Sequence, residues 1–125
     1  MYSHNMVGTN DAARSKVFYD ALFTAMGGKA AMQDPKGRLI YMHNGGMFMV
    51  TPPINGEPAT AGNGCTIGFA MDTTEMADAW HAAGVAAGGT AIEDAPGWRE
   101  MGSFRLYLAY LRDPDGNKLC AMKRG

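Results

Sequence analysis

The chain has 125 residues, 46% of them apolar, and a formal net charge of −1. A length of this order builds one ordinary domain, or two small halves around a shared core, and buries roughly two-thirds of its unfolded surface without staples. The balanced charge gives no electrostatic reason to expect nucleic acid or an anionic membrane as a partner.

Residues 1–8 are short and mixed and are read as a strand. They lack the basic start and apolar run of a secretion signal. Asn10-Asp11 opens a helix, because an aspartate there accepts from free amide groups and suits the positive end of the helix dipole. Val17, Phe18, Ala21, Leu22 and Ala25 recur at helical spacing and predict its buried face. Gly27-Gly28 ends it, since glycine adopts the left-handed cap cheaply. A short strand is expected over 29–33, then a turn at Asp34-Pro35-Lys36-Gly37. A strand over 38–43, the hairpin turn Asn44-Gly45 and a strand over 47–51 follow. Pro52-Pro53 stops the last.

Residues 54–64 (INGEPATAGNG) are small and polar and read as a linker between modules 1–53 and 65–125. No glycine run precedes a helix as a nucleotide loop demands, so this segment is only flexible. The pattern then restarts: a strand over 65–71, a helix capped by Asp72 or Thr73, and Gly88-Gly89 at its end. Met76, Ala79, Trp80 and Ala83 are the predicted buried face. A strand over 90–93, a loop over 94–103, a long strand over 104–112, the turn Asp113–Asn117 and a last strand over 118–122 complete the chain.

A single offset superposes Asp11…Gly28 on Asp72…Gly89, with Tyr19 falling on Trp80. The chain thus reads as one unit written twice. Each unit is strand, helix, strand, strand, strand. One helix leaves one sheet face uncovered, and two such faces can bound a cavity for a ligand. No stretch approaches the ~20 apolar residues of a membrane helix. Cys65 and Cys120 stand in no metal or redox spacing, so free thiols in a reducing, cytoplasmic setting are expected. The chain has 11 methionines, which serve as adaptable core filler or as the walls of a plastic pocket.

SHNMVGTNDAARSKVFYDAL, AMDTTEMADAWHAAGVAAGG and YLRDPDGNKLCAM together cover most of the chain. In this order they resemble the opening strand and helix, the second-half counterpart and the closing hairpin of the vicinal oxygen chelate superfamily. That superfamily includes glyoxalase, extradiol dioxygenases, and bleomycin and fosfomycin resistance proteins. The resemblance implies an α+β fold of two βαβββ modules forming a curved mixed sheet around a concave cavity. It implies a homodimer, some relatives building the site between chains. It also implies four metal-ligand positions, which fall here on His4, Met49, Thr66 and Cys120.

Only His4 keeps the expected chemistry, because divalent metals such as zinc want several nitrogen and oxygen donors. The expectation is therefore a degraded metal site, no cofactor, and a small organic ligand in the pocket. Strand alternation adds Tyr2 and Met6 beside His4, Met47 and Thr51 beside Met49, and Lys118 and Met122 beside Cys120. The resemblance places Tyr41 and Tyr110 inward, bringing Leu39, His43, Leu106 and Leu108 with them. Trp98 and Arg99 lie in a loop that borders the site in relatives; Arg99 either meets an acidic ligand group or is solvated. Cys120 reads as a buried inert thiol, or as a nucleophile or zinc ligand beside His4 and His43. Two other functions stay open: a metal-dependent lyase or dioxygenase using His4, and a non-catalytic structural or regulatory dimer.

Overall fold

The computed structural model describes residues 1–125. Asp11 caps the first helix, its carboxylate accepting from the Arg14 amide at 3.0 Å. Thr73, rather than Asp72, caps the second by accepting from the Met76 amide. The elements are β1 (Asn5–Gly8), α1 (Ala12–Ala25), β2 (Met32–Gln33), β3 (Leu39–His43) and β4 (Gly46–Thr51), then β5 (Ile67–Ala70), α2 (Thr74–Ala86), β6 (Thr90–Met101), β7 (Phe104–Arg112) and β8 (Lys118–Arg124). Each module forms its own four-stranded mixed sheet, ordered β1-β4-β3-β2 and β5-β8-β7-β6. Both sheets pair their first and last strands in parallel, and the fold class is the expected one.

One strand corrects the sequence reading. Residues 94–103 are not a loop: β6 runs to Met101 and pairs in register with the start of β7. The ladder breaks between Ile92 and Gly97, so residues 93–96 bulge out. Turn-forming residues cluster in that bulge and mask the strand beyond it. Arg99 braces it, its guanidinium donating to the carbonyls of Asp94, Ala95 and Gly97 at 3.0–3.2 Å.

A single core of 17 buried residues joins the modules on the helix side. It holds Phe18, Tyr19, Leu22 and Phe23 of α1, and Ala77 and Trp80 of α2. Leu39, Tyr41, Phe48 and Val50 rise to it from the first sheet, and Ala109, Leu111, Leu119 and Ala121 from the second. The buried stripe of α2 is Ala77, Trp80 and Gly84 rather than Ala79 and Ala83, and Val17 on α1 is exposed. Phe69 of β5 stands edge-on to Phe23 and Phe48, with centroids at 5.8 and 5.4 Å, so aromatic packing crosses the seam.

Polar groups lock the same seam. The Tyr19 hydroxyl donates to Asp113 Oδ2 at 2.6 Å, with both side chains buried. Asp115 accepts from the Asn10 amide, the Ser15 hydroxyl and Arg14. Asn117 Nδ2 donates to the Gly8 carbonyl at 3.1 Å. The turn between β7 and β8 therefore holds the first module's strand-to-helix corner. No helix is long and apolar enough to cross a membrane.

Candidate functional site

Register decides which side chains face away from the helices. Leu119 and Ala121 of β8 enter the core, so Lys118, Cys120 and Met122 lie on the open side. Their partners Arg112, Tyr110 and Leu108 on β7 share that side, as do Leu106 opposite Arg124, and Ile92, Gly97 and Arg99 on β6. In the first sheet Phe48 and Val50 face the core, so Met47 and Met49 face out, beside Met6, Ile40 and Met42. Met49, Leu108 and Cys120 are buried yet outside the core cluster, and are covered by their neighbours on the open side.

Two hollows mark this side. One of about 590 Å³ runs along β5 and β8 over Gly68, Ala70 and Met122, within the roughly 300–1,000 Å³ of small-molecule sites. A Cβ added at Gly68 would meet nothing, so the floor there is open. The other, of about 240 Å³, lies at the seam and takes Met6 from the first module with Cys65, Thr66 and Lys118 from the second.

The chemistry of the second sheet centres on Lys118. Its ammonium pairs with the Glu93 carboxylate and stands 4.9 Å from the Tyr110 ring centroid. Glu93, in the bulge, has φ of 59°, a left-handed backbone that among non-glycine residues only Asn44 of the β3–β4 turn shares. Burial pushes the Cys120 thiol above its ordinary range, outweighing a hydrogen bond from Tyr110. The Tyr110 phenol is raised as well, by burial and then by Cys120. A protonated thiol donating to the Ala121 carbonyl is a poor nucleophile at neutral pH.

Several sequence expectations are corrected here. Tyr41, His43 and Leu39 face the helices, not the open side. Tyr41 stacks on Phe23 at 4.4 Å and donates to Asp20 Oδ1 at 2.7 Å, and His43 stands edge-on to Phe23. Tyr41 and His43 line a cleft of about 230 Å³ at the seam, with Phe48 and Phe69. The inward residue matching Tyr110 is Ile40. Trp98 is also on the helix side, packed edge-on against Tyr107 with the Arg105 guanidinium 3.9 Å above its ring. Arg99, one residue on, is on the open side. Strand alternation sets Lys118 beside Cys120, as the register confirms, whereas Glu93 escapes sequence reading; its one signal is its place just before the turn-rich 94–97 stretch.

The four family metal positions do not make a donor set. His4 lies ahead of β1, exposed, and shares a hydrogen bond with Ser3. Thr66 is exposed just before β5, Met49 offers a thioether, and Cys120 is held as the thiol. No three of the histidine, cysteine, aspartate and glutamate side chains converge. These residues do not fit a divalent ion.

The family model described as "Glyoxalase/Bleomycin resistance protein/Dioxygenase superfamily" matches residues 2–121. A glyoxalase/bleomycin resistance protein from Albidiferax ferrireducens T118 is 53% identical, covers 98% of each chain, and superposes with a TM-score of 0.93. A glyoxalase/bleomycin resistance protein/dioxygenase family enzyme from Burkholderia phytofirmans PsJN is 22% identical, with 96% of this chain and 95% of that one covered and a TM-score of 0.72. A lactoylglutathione lyase from Agrobacterium tumefaciens is 18% identical over 98% and 92%, with a TM-score of 0.68. The last two show the fold alone. No curated protein matches the chain. The extent of the family match and the 53% identity agree with the fold, and the chain belongs to the glyoxalase/bleomycin resistance protein/dioxygenase superfamily.

Proposed function

We propose that this chain binds a small organic ligand on the open sides of its two sheets, without the metal its superfamily commonly uses there. The observation that carries this reading is the seam hollow lined by Met6 of one module and Thr66 and Lys118 of the other. Around it the open sides offer Met47, Met49, Leu106, Leu108, Tyr110 and Met122, soft apolar walls with one phenol to orient a ligand. A protonated Cys120 and an unconverged His4 supply neither a nucleophile nor a metal, which favours capture over turnover.

Thermal shift against small aromatic compounds tests this. At least one should raise the melting temperature, and Tyr110→Ala should weaken its binding about tenfold, the loss of one ordinary contact of about 1.4 kcal/mol. A library in which every hit is unaffected by Tyr110→Ala would place the ligand elsewhere.

We also propose a homodimer. Met32 on the edge strand β2 is exposed and apolar beside an unpaired strand edge, which a second copy would cover. Light scattering at micromolar concentration should read twice the 13.3 kDa chain mass; a monomer refutes it.

A further inference from the structure

The charge on the open side narrows the ligand further, given the binding reading above. Register places Arg99, Arg112, Lys118 and Arg124 on that side of the second sheet, and Glu93 reaches Lys118 there. Within β6, β7 and β8 four cations thus share this side with one carboxylate, in a chain whose formal net charge is −1. Arg99 and Arg112 donate only to neutral backbone carbonyls, so their charges are uncompensated. The open side of the first sheet is the opposite case: Met6, Ile40, Met42, Met47 and Met49 stand there without a charged neighbour in β1, β3 or β4. The two surfaces meet at the hollow lined by Met6 and Lys118.

We infer that the ligand is an amphipathic organic acid, its apolar body on the methionine surface of the first sheet and its anionic group at Lys118, where it displaces the Glu93 carboxylate. The pair is built for such an exchange. Glu93 is its outer member, with a side chain 45% exposed against 27% for Lys118. Its left-handed backbone lies in a bulge with no strand partner, so the carboxylate can swing out without breaking the ladder. The ammonium is steadied from beside by the Tyr110 ring and stays when Glu93 leaves. A cationic ligand would have to compete with Lys118 for Glu93 against the field of three arginines.

Calorimetric titration of the full chain with naphthoate and with naphthalenemethanol, which share one apolar body, tests this. The acid should bind at least tenfold more tightly, the lower end of what roughly 1.5–3 kcal/mol for a charged hydrogen bond gives. Lys118→Gln should bring the two ligands within about twofold of each other while leaving the alcohol's affinity in place. Glu93→Gln should tighten the acid alone, by removing the resident competitor, and it tests the same exchange if Lys118→Gln folds poorly. Lys36→Gln, exposed in the turn between β2 and β3, should change neither. An alcohol that binds as well as the acid, or a preference that survives Lys118→Gln, overturns the acid-binding inference and leaves the ligand site standing. Failure of both ligands to bind overturns both.

Discussion

Asp113→Ala is expected to destabilise the protein by about 3–5 kcal/mol, one of the largest effects of any polar substitution in this chain. Asp113 is buried and accepts from four donors: the Tyr19 hydroxyl, the Asp115 and Asn117 amides, and Asn117 Nδ2. A hydrogen bond to a charged group contributes about 1.5–3 kcal/mol, and a buried donor left without a partner costs a further 1–3 kcal/mol. The alanine variant loses the first and incurs the second at Tyr19, while freeing two turn amides. Urea denaturation should show a lower midpoint with an unchanged slope. A loss below about 1 kcal/mol would mean that the turn does not hold the modules together. Tyr19→Phe should cost less, about 1–2 kcal/mol, because Asp113 keeps three donors.

The same pair predicts an alkaline limit. Burial, and then the charge of Asp113, raise the Tyr19 phenol well above its ordinary value. A group whose folded pKa is raised contributes stability that is fully present below its unfolded pKa, about 10 for tyrosine. That stability is lost as the pH rises from there toward the folded value. Unfolding free energy should therefore fall above about pH 10, and Tyr19→Phe should flatten the fall. A residual slope should remain from Tyr41, which burial and then Asp20 raise in the same sense.

This clasp shows where sequence reading reaches and where it stops. Asp113-Pro114-Asp115-Gly116 is legible as a tight turn, because proline and glycine sit where the backbone needs them. That its carboxylates reach the start of α1 depends on residues about a hundred positions away, which no local pattern reports. The repeat fared better: Gly27-Gly28 and Gly88-Gly89 end the two helices as read, and the sheets around them follow from it.

The assignment of faces slipped by one residue in the first module. Leu39, Ile40, Tyr41 and Met42 are all apolar or aromatic, so alternation alone does not choose a side. Matching Tyr41 to Tyr110 chose the wrong one, and a one-residue slip flips every side chain. The hairpin held the answer. A two-residue Asn44-Gly45 turn sets His43 opposite Gly46, and hence Ile40 opposite Met49. Arg99 and Lys118 are legible as site neighbours, but their grouping with Arg112 and Arg124 is not, because the four are spread over three strands and only register brings them together.

The helix contact gives the second large effect, and one whose sign runs against helix propensity. Alanine is favoured over glycine inside a helix by about 1 kcal/mol, so Gly84→Ala in α2 would ordinarily stabilise. Here an added Cβ would lie 2.3 Å from Leu111 Cδ1 and 3.0 Å from Leu22 Cδ2, with Phe18 Cε1 at 3.5 Å. Leu22, Leu111 and Phe18 are each 0% exposed, so none has free volume to turn into. Overpacking of this kind costs about 1–3 kcal/mol, occasionally more, and with backbones held this close we expect the upper end. The net result should be a loss of about 2 kcal/mol, read as a drop of several degrees in the melting temperature. Gly68→Ala, whose Cβ would meet nothing, is the control and should leave stability nearly unchanged. Leu111→Ala alone should cost about 2–5 kcal/mol by opening a cavity. Combined with Gly84→Ala it should cost less than the sum, because the new methyl enters the space that Leu111 vacates. A coupling of at least 1 kcal/mol in that cycle is expected for side chains in direct contact. Simple additivity would show that α2 and β7 do not meet through Gly84 and Leu111 in solution.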